Sequence, residues 1–413
     1  MEKLISGRTL IFFTSTFPYG TGEAFIENEI RYLSSAFDKV IIVTNATDCN
    51  LQRPIPENVT VLMRPYSLNL RDKISSVKHL LSSEFLAEIF RLRKQYGVPI
   101  NLTVINTALQ SIQKSKKLLK FLKEHLPVYI IEGSTICYSY WADDNAVALA
   151  LLKKQGFPFK AICRAHRWDI YFEKNGSNYL PLRNTLAEQL NRMFFVSENG
   201  KQYFESRIGS FPSLKTSFLG VTPIPSSKSE SECLHILSCS NVIERKRVIR
   251  IAQALAIVNK NVRIKWTHIG EGEQFDKLNE FCTEICSQNK LLQIDLKRAL
   301  PNKAVKEFYL THKVDLFVNV SASEGIPVSI MEAMSAYTPV IATDVDGNGE
   351  IVQDQYNGFL LSPDFTNEHL AALIEKCANT NLQPLRENAY NTWNEKFNAD
   401  KNYSNFVKEI LSL

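Results

Sequence analysis

Short runs of apolar and β-branched residues alternate with longer amphipathic stretches along the whole chain. Thr9–Thr14, Val40–Thr44, Val128–Ile131, Ala161–Cys163 and Met193–Val196 read as buried strands of a first half. Leu234–Cys239, Ile264–Ile269, Leu292–Leu296, Val314–Val320 and Pro339–Ala342 read as those of a second. Alternation of strand-like with helix-like runs from end to end predicts an α/β fold with two parallel sheets covered by helices. The stretch Thr222-Pro-Ile-Pro-Ser-Ser-Lys-Ser-Glu-Ser-Glu232 is rich in Pro and Ser and poor in apolar residues, so it reads as a linker. The expected organisation is a first domain over 1–221, a linker over 222–232, a second domain over 233–385 and terminal helices over 386–413. A further helix is predicted over Asn367–Lys376, and one from Glu23 to Leu33.

With 413 residues, 45% of them hydrophobic, the chain exceeds one ordinary domain. A net charge of +5 does not by itself imply nucleic acid as a partner. Its distribution is uneven, because twelve basic residues face only four acidic ones between Arg64 and Glu124. Leu118, Leu119, Phe121 and Leu122 interleave with lysines there. Two readings stay open, a solvated charged helix and a basic amphipathic face resting on an anionic membrane surface. The Met-Glu-Lys start has no apolar core of a signal peptide, and no run of 18 apolar residues exists. The eight cysteines are scattered, mostly within apolar stretches, and Cys282 and Cys286 lack companions for a metal set. A cytoplasmic protein is expected, with a peripheral place at the inner membrane face left open.

Candidate chemistry concentrates between Ser321 and Val352. A strand, a loop and a helix over Pro327–Ala336 deliver Glu324, Gly325 and Ile326 to a helix start. Unpaired backbone N–H groups and the positive dipole end suit a phosphate there. Glu332 follows Glu324 by eight positions, one to two turns into the helix. Two carboxylates are poor phosphate ligands but good acceptors for sugar hydroxyls, so the pattern points to a sugar nucleotide.

The string Ser323-Glu-Gly-Ile-Pro-Val-Ser-Ile-Met-Glu-Ala-Met-Ser-Ala-Tyr-Thr-Pro-Val-Ile-Ala-Thr343 resembles the signature of the retaining glycosyltransferases of family 4. The resemblance implies the GT-B fold: two Rossmann-like parallel-sheet domains facing across a cleft, with the C-terminal helix crossing back to the first domain. It implies a nucleotide-diphosphate sugar as donor, a glycan or polyprenyl-linked glycan as acceptor, no cofactor and no metal. Tyr337 departs from the family's usual Gly, so the helix is expected to end by another route. The opening Phe17-Pro-Tyr-Gly-Thr-Gly-Glu-Ala-Phe25 resembles that of polysaccharide-building members. It implies that Gly20 and Gly22 approach the donor phosphate and that Glu23 lies on the acceptor side. His166 and Asp169, in Arg164-Ala-His-Arg-Trp-Asp169, match a His-x-x-Asp motif. By resemblance, the His meets the donor sugar and the Asp fixes its loop. Asn199, Asp143 and Asp144 are further candidates for the acceptor side.

In the second half, Lys246 matches the family's phosphate-binding Lys. Asn241 stands where its Arg is usual, and Arg247 where its Gly is. Arg245 or Arg247 restores the second cation, Arg247 being preferred, because a leaving diphosphate needs positive charge. His268-Ile-Gly-Glu-Gly272 resembles the family's Gly-x-Gly turn near the nucleoside, which places Gly270 on the donor. Glu350 is expected at a helix start in a capping role. The carried-over catalytic set is thus Glu324, His166 and Lys246, with Glu332 on the ribose.

Three rivals remain: a metal-dependent transferase using Asp344-Val-Asp346, a GT-B epimerase or phosphorylase, and a non-catalytic glycan- or lipid-binding protein. The first loop lacks the third Gly of a dinucleotide fingerprint, which disfavours a nicotinamide enzyme.

Overall fold

The computed structural model describes residues 7–20, 22–49, 52–64, 67–125, 130, 133–226 and 233–413. They divide into two compact units, one up to Phe218 together with Tyr403–Leu413, the other Leu219–Asn402.

The first unit is built on a seven-stranded parallel sheet in the order β3-β2-β1-β4-β5-β6-β7. Its strands are β1 (Thr9–Thr14), β2 (Lys39–Thr44), β3 (Val59–Met63), β4 (Thr135–Ser139), β5 (Lys160–Ala165), β6 (Arg192–Phe195) and β7 (Leu214–Thr216). Apolar residues cover both faces, which explains the unbroken apolar runs. Ile11, Phe13, Ile41 and Val43 pack on one side with Val104, Ile112 and Leu118. Leu10, Phe12, Val40 and Ile42 pack on the other with Ile26, Ile30 and Leu33.

The same second cluster takes in Phe406, Val407 and Ile410 from the last helix, Ala399–Leu411. The preceding helix, Gln383–Lys396, lies in the second unit. There Trp393 Nε1 donates to Val221 O at 3.2 Å.

The second unit carries a six-stranded parallel sheet in the order β10-β9-β8-β11-β12-β13. These are β8 (Leu234–Cys239), β9 (Ile264–Ile269), β10 (Leu292–Lys297), β11 (Leu316–Asn319), β12 (Val340–Thr343) and β13 (Gly358–Leu361).

Several expectations change. The strand expected at 128–131 falls almost wholly outside the described residues, and Thr135–Ser139 pairs with β1 in register Thr9–Thr135. The first helix begins at Ile26, not Glu23, because Glu23 takes a left-handed turn with φ of 55°. Leu118 and Leu122 are core residues, and the neighbouring lysines 114, 116 and 117 pair with Asp144, Glu84 and Asp72. The apolar stripe of helix Leu102–His125 therefore faces protein, not lipid. Cys137, Cys163, Cys282 and Cys377 are buried, and Cys49 is exposed.

Candidate active site

Parallel sheets gather functional loops at the carboxyl ends of their strands. In the second unit, β8 leads into the loop Ser240–Val242, fixed by close backbone packing against the Gly270–Gly272 turn. A Cβ on Gly270 would stand 1.9 Å from Ser240 O, so only glycine fits. The chain then forms a short turn, Glu244–Lys246. Its Arg245 carbonyl accepts a hydrogen bond from Ala322 N at 2.8 Å, joining it to the loop after β11.

That junction brings Lys246 Nζ to 2.5 Å from Glu324 Oε1. The same oxygen accepts from Ser321 Oγ at 2.6 Å and Asn319 Nδ2 at 3.2 Å. Burial works to raise the Glu324 carboxyl, but Lys246, Ser321 and Asn319 outweigh it and hold the group below its ordinary value. The backbone N–H of Glu324 donates to Asp346 Oδ2 at 2.9 Å. Asp346 also accepts from Ser323 Oγ. Gly347 N donates to Gly325 O at 3.0 Å, where a Cβ on Gly347 would stand 2.1 Å from that oxygen. Asp346 thus ties two loops together.

Glu332 is buried on helix Val328–Ser335. It accepts from Asn302 Nδ2 at 2.7 Å, and burial raises its carboxyl above the ordinary value. Ile326 is buried, and Gly325 sits between Glu324 and the helix start.

Arg247 does not match its expected role. It occupies the left-handed region with φ of 50°, the conformation suited to the glycine it replaces. Its side chain donates to three carbonyl oxygens: Val320 at 2.7 Å, Pro363 at 2.9 Å and Ser321 at 3.0 Å. A guanidinium so engaged braces the end of β11 and has little left for an anion. Arg245 donates to Ser323 O at 2.9 Å and lies 3.9 Å from Glu324 Oε2, with its side chain 39% exposed. The three basic residues belong to a turn before helix Val248–Ile257, not to its first turn.

Tyr337 also corrects the expectation. It ends its helix in the left-handed conformation itself, with φ of 58°. Thr338 N donates to Ala333 O and Tyr337 N to Met334 O, both at 3.0 Å, the bond pattern of a glycine-type cap. The ring stacks on Tyr390 at 4.0 Å with planes 4° apart. Glu350 stands in the first turn of Asn348–Ile351, where a carboxylate suits the helix dipole.

The first unit holds a second cluster. His166 follows β5 and precedes the turn of helix Arg167–Ile170. Its ring packs 4.4 Å from Trp141, 4.9 Å from Tyr140 and 6.4 Å from Phe25. Burial, with Arg164 nearby, holds the imidazole well below its ordinary pKa, so it is neutral. Neither ring nitrogen has a hydrogen-bond partner among the described residues. Buried polar atoms are rarely left so. Asp169 accepts from His166 N at 2.5 Å and Ala142 N at 2.8 Å, fixing the loop. Burial pushes its carboxyl up to about 7.

Glu23 is occupied by its own loop. It accepts from Ser15 N at 3.0 Å, Thr16 N and Phe17 N at 2.7 Å, and Trp141 Nε1 at 2.6 Å. It shapes the Ser15–Phe17 turn and is not free for an acceptor. Gly20 is left-handed with φ of 66°, and Arg53 reaches the Gly22 carbonyl at 2.5 Å. Asn199 is exposed and accepts from Tyr171 OH at 2.6 Å. Asp143 caps helix Asp144–Lys154, and Asp144 binds Ser111 and Lys114. Of the Asp344-Val-Asp346 triplet, Asp346 accepts from Ser323 Oγ and from Glu324 N within the Ser323–Glu324 turn. Among the described residues no group of three or more His, Cys, Asp and Glu side chains gathers as for a metal.

Sequence reasoning missed Asn319, Ser321 and Asn302 around the acidic pair, and the Phe25, Tyr140 and Trp141 cage. The signal for the first two was present, as polar residues closing an apolar strand. With His166 the cage joins three distant segments.

The family described as glycosyl transferases group 1 matches residues 224–394, which contain Lys246, Glu324 and Glu332. The second unit is a group 1 glycosyltransferase domain. The transferase is 25% identical over 302 residues to the O-antigen biosynthesis glycosyltransferase WbnH of Escherichia coli, covering 71% of this chain and 79% of that protein. Over 134 residues it is 27% identical to an Escherichia coli UDP-Gal:alpha-D-GlcNAc-diphosphoundecaprenol alpha-1,3-galactosyltransferase, covering 32% of this chain and 33% of that one. Its fold is GT-B. It matches Anabaena HepE, solved in complex with UDP and glucose, with a TM-score of 0.65 at 14% identity, covering 98% of this chain and 100% of the other. No helix among the described residues of the transferase is long and apolar enough to cross a membrane.

Proposed function

We propose that the transferase moves a sugar from a uridine diphosphate sugar to a glycan or polyprenyl-linked glycan acceptor in polysaccharide assembly, retaining the anomeric configuration. The observation that carries this reading is the part-buried Lys246–Glu324 pair at the carboxyl ends of β8 and β11. An ammonium held against a carboxylate is positioned before the substrate arrives, so little reorganisation is needed when a diphosphate departs. Lys246, with Arg245 in place of Arg247, takes the leaving diphosphate at the helix start beside Gly325 and Ile326. Glu324 accepts hydroxyls of the donor sugar, and Glu332 those of the ribose. Neutral His166 meets the sugar through its unsatisfied nitrogens, while Asp169 and Glu23 hold the loops that present it. The acceptor hydroxyl passes its proton to a departing phosphate oxygen on the same face.

The choice of uracil and of a lipid-linked acceptor is supported by the name of the galactosyltransferase relative, and that of uracil also by the UDP in the HepE complex. Titration calorimetry against UDP-glucose, UDP-galactose, UDP-N-acetylglucosamine and GDP-mannose tests the donor. Saturable heat with a UDP-sugar, weakened in Lys246→Ala, is expected. No heat with any nucleotide sugar contradicts the reading.

A further inference from the structure

We infer that residues 70–102 of the first unit form a docking surface for an anionic lipid bilayer. Among the described residues, ten of the fifteen exposed large hydrophobic side chains fall between Met63 and Leu102, so they are concentrated and not scattered. Across helix Leu70–Ser75 and the turn Ser76–Leu81, the usual division of a surface helix is reversed. Asp72, Ser76 and His79 face inward and are buried. Leu70, Ile74, Val77 and Leu81, at the spacing i, i+4, i+7, i+11, are 74%, 65%, 56% and 87% exposed.

The inward side is fixed by polar contacts. Asp72 pairs with Lys117, His79 Nε2 lies 2.7 Å from Gln113 Oε1, and Gln113 Nε2 donates to Ser75 Oγ at 3.3 Å. These anchors set the rotation of the segment and leave its leucines in water. Helix Ser83–Arg91 extends the apolar display with Leu86 and Phe90 while Phe85 and Glu88 point inward, and Leu102 adds to it.

Charge selects the occupant. Arg71, Lys73, Lys78, Arg93 and Lys94 are exposed. Every acid of the stretch is turned away: Asp72 to Lys117, Glu84 to Lys116 at 3.3 Å, and Glu88 buried against Tyr179 and the Leu182 N–H. Apolar side chains ringed by cations suit the headgroup boundary of an anionic membrane. A second copy of the same face would bring like charges together.

Co-sedimentation of the full-length protein with vesicles tests this. Binding is expected to phosphatidylcholine containing phosphatidylglycerol, and not to phosphatidylcholine alone. Ile74→Ser with Leu81→Ser, or Lys73→Glu with Lys78→Glu, should each lower partitioning by about tenfold. All four side chains are in water, so the melting temperature and the turnover of a soluble donor should be unchanged. The inference is overturned by no binding to the anionic vesicles or by equal binding of the variants. It is also overturned if the serine variant converts a dimer to a monomer in sedimentation velocity while vesicle binding stays unchanged.

Discussion

The Lys246 ammonium stands 2.5 Å from Glu324 Oε1, although 78 positions separate the two residues. Neither has value for phosphate chemistry until the turn after β8 and the loop after β11 are joined by the Ala322 to Arg245 bond. The stability of the second unit and the readiness of its site are therefore coupled through one ion pair.

Removing the ammonium exposes that coupling. The folded Glu324 carboxyl lies below its ordinary 4.5, so its contribution to stability is present above that pH and is lost as pH falls through the folded value. Lys246→Met leaves the carboxylate buried and unpaired, and should cost about 3 kcal/mol at pH 7. The cost should shrink at pH 4, where Glu324 takes up a proton. Urea unfolding at both pH values checks this, and an equal loss at the two contradicts it.

Asp169 behaves with the opposite sign. Burial raises its folded pKa to about 7, from an ordinary 3.8, against the pull of the Ala142 and His166 N–H groups. Its contribution is full below the unfolded value and falls away as pH rises from about 3.8 to about 7. Subtracting the unfolding free energy of Asp169→Asn from that of the parent should give a difference that declines with pH over this window. A flat difference would show that burial does not govern the group.

The first loop hangs on Glu23. Glu23→Ala leaves three backbone N–H groups and the Trp141 indole N–H without their acceptor. A loss of about 2–4 kcal/mol is expected in urea unfolding, with a matching loss of Trp141 burial by fluorescence. Unchanged stability would mean the loop is held some other way.

Tyr337 separates backbone strain from stacking. Tyr337→Gly relieves the left-handed strain while losing the Tyr390 stack, two effects each of about 1 kcal/mol. It should be close to neutral. Tyr337→Ala loses the stack and keeps the strain, so it should unfold about 1 kcal/mol more easily than the glycine variant. Equal melting of the two would refute this account of the cap.

These residues show what a sequence can and cannot carry. Strands buried on both faces, such as Thr9–Thr14 and Leu234–Cys239, are legible because the apolar run is unbroken. Val59–Met63 at the sheet edge is half exposed and has no such run. Gly358 opens a strand because a Cβ would meet Val340 O at 2.1 Å, a reason visible only in three dimensions. Glu324 and Lys246 stand out through their motifs. The choice between Arg245 and Arg247 did not, because the left-handed backbone at Arg247 decides where each guanidinium points. The reversed helix at residues 70–81 was hidden for a related cause: its leucines look like core until the anchors Asp72 and His79 are found inside.

Single-turnover transfer of radiolabelled sugar from a UDP-sugar to a lipid-linked glycan, comparing the parent with Lys246→Ala at saturating donor, tests the central claim most directly. Loss of the ammonium from the leaving diphosphate should slow the chemical step by about 10²–10³-fold. Transfer at the parental rate would contradict the account.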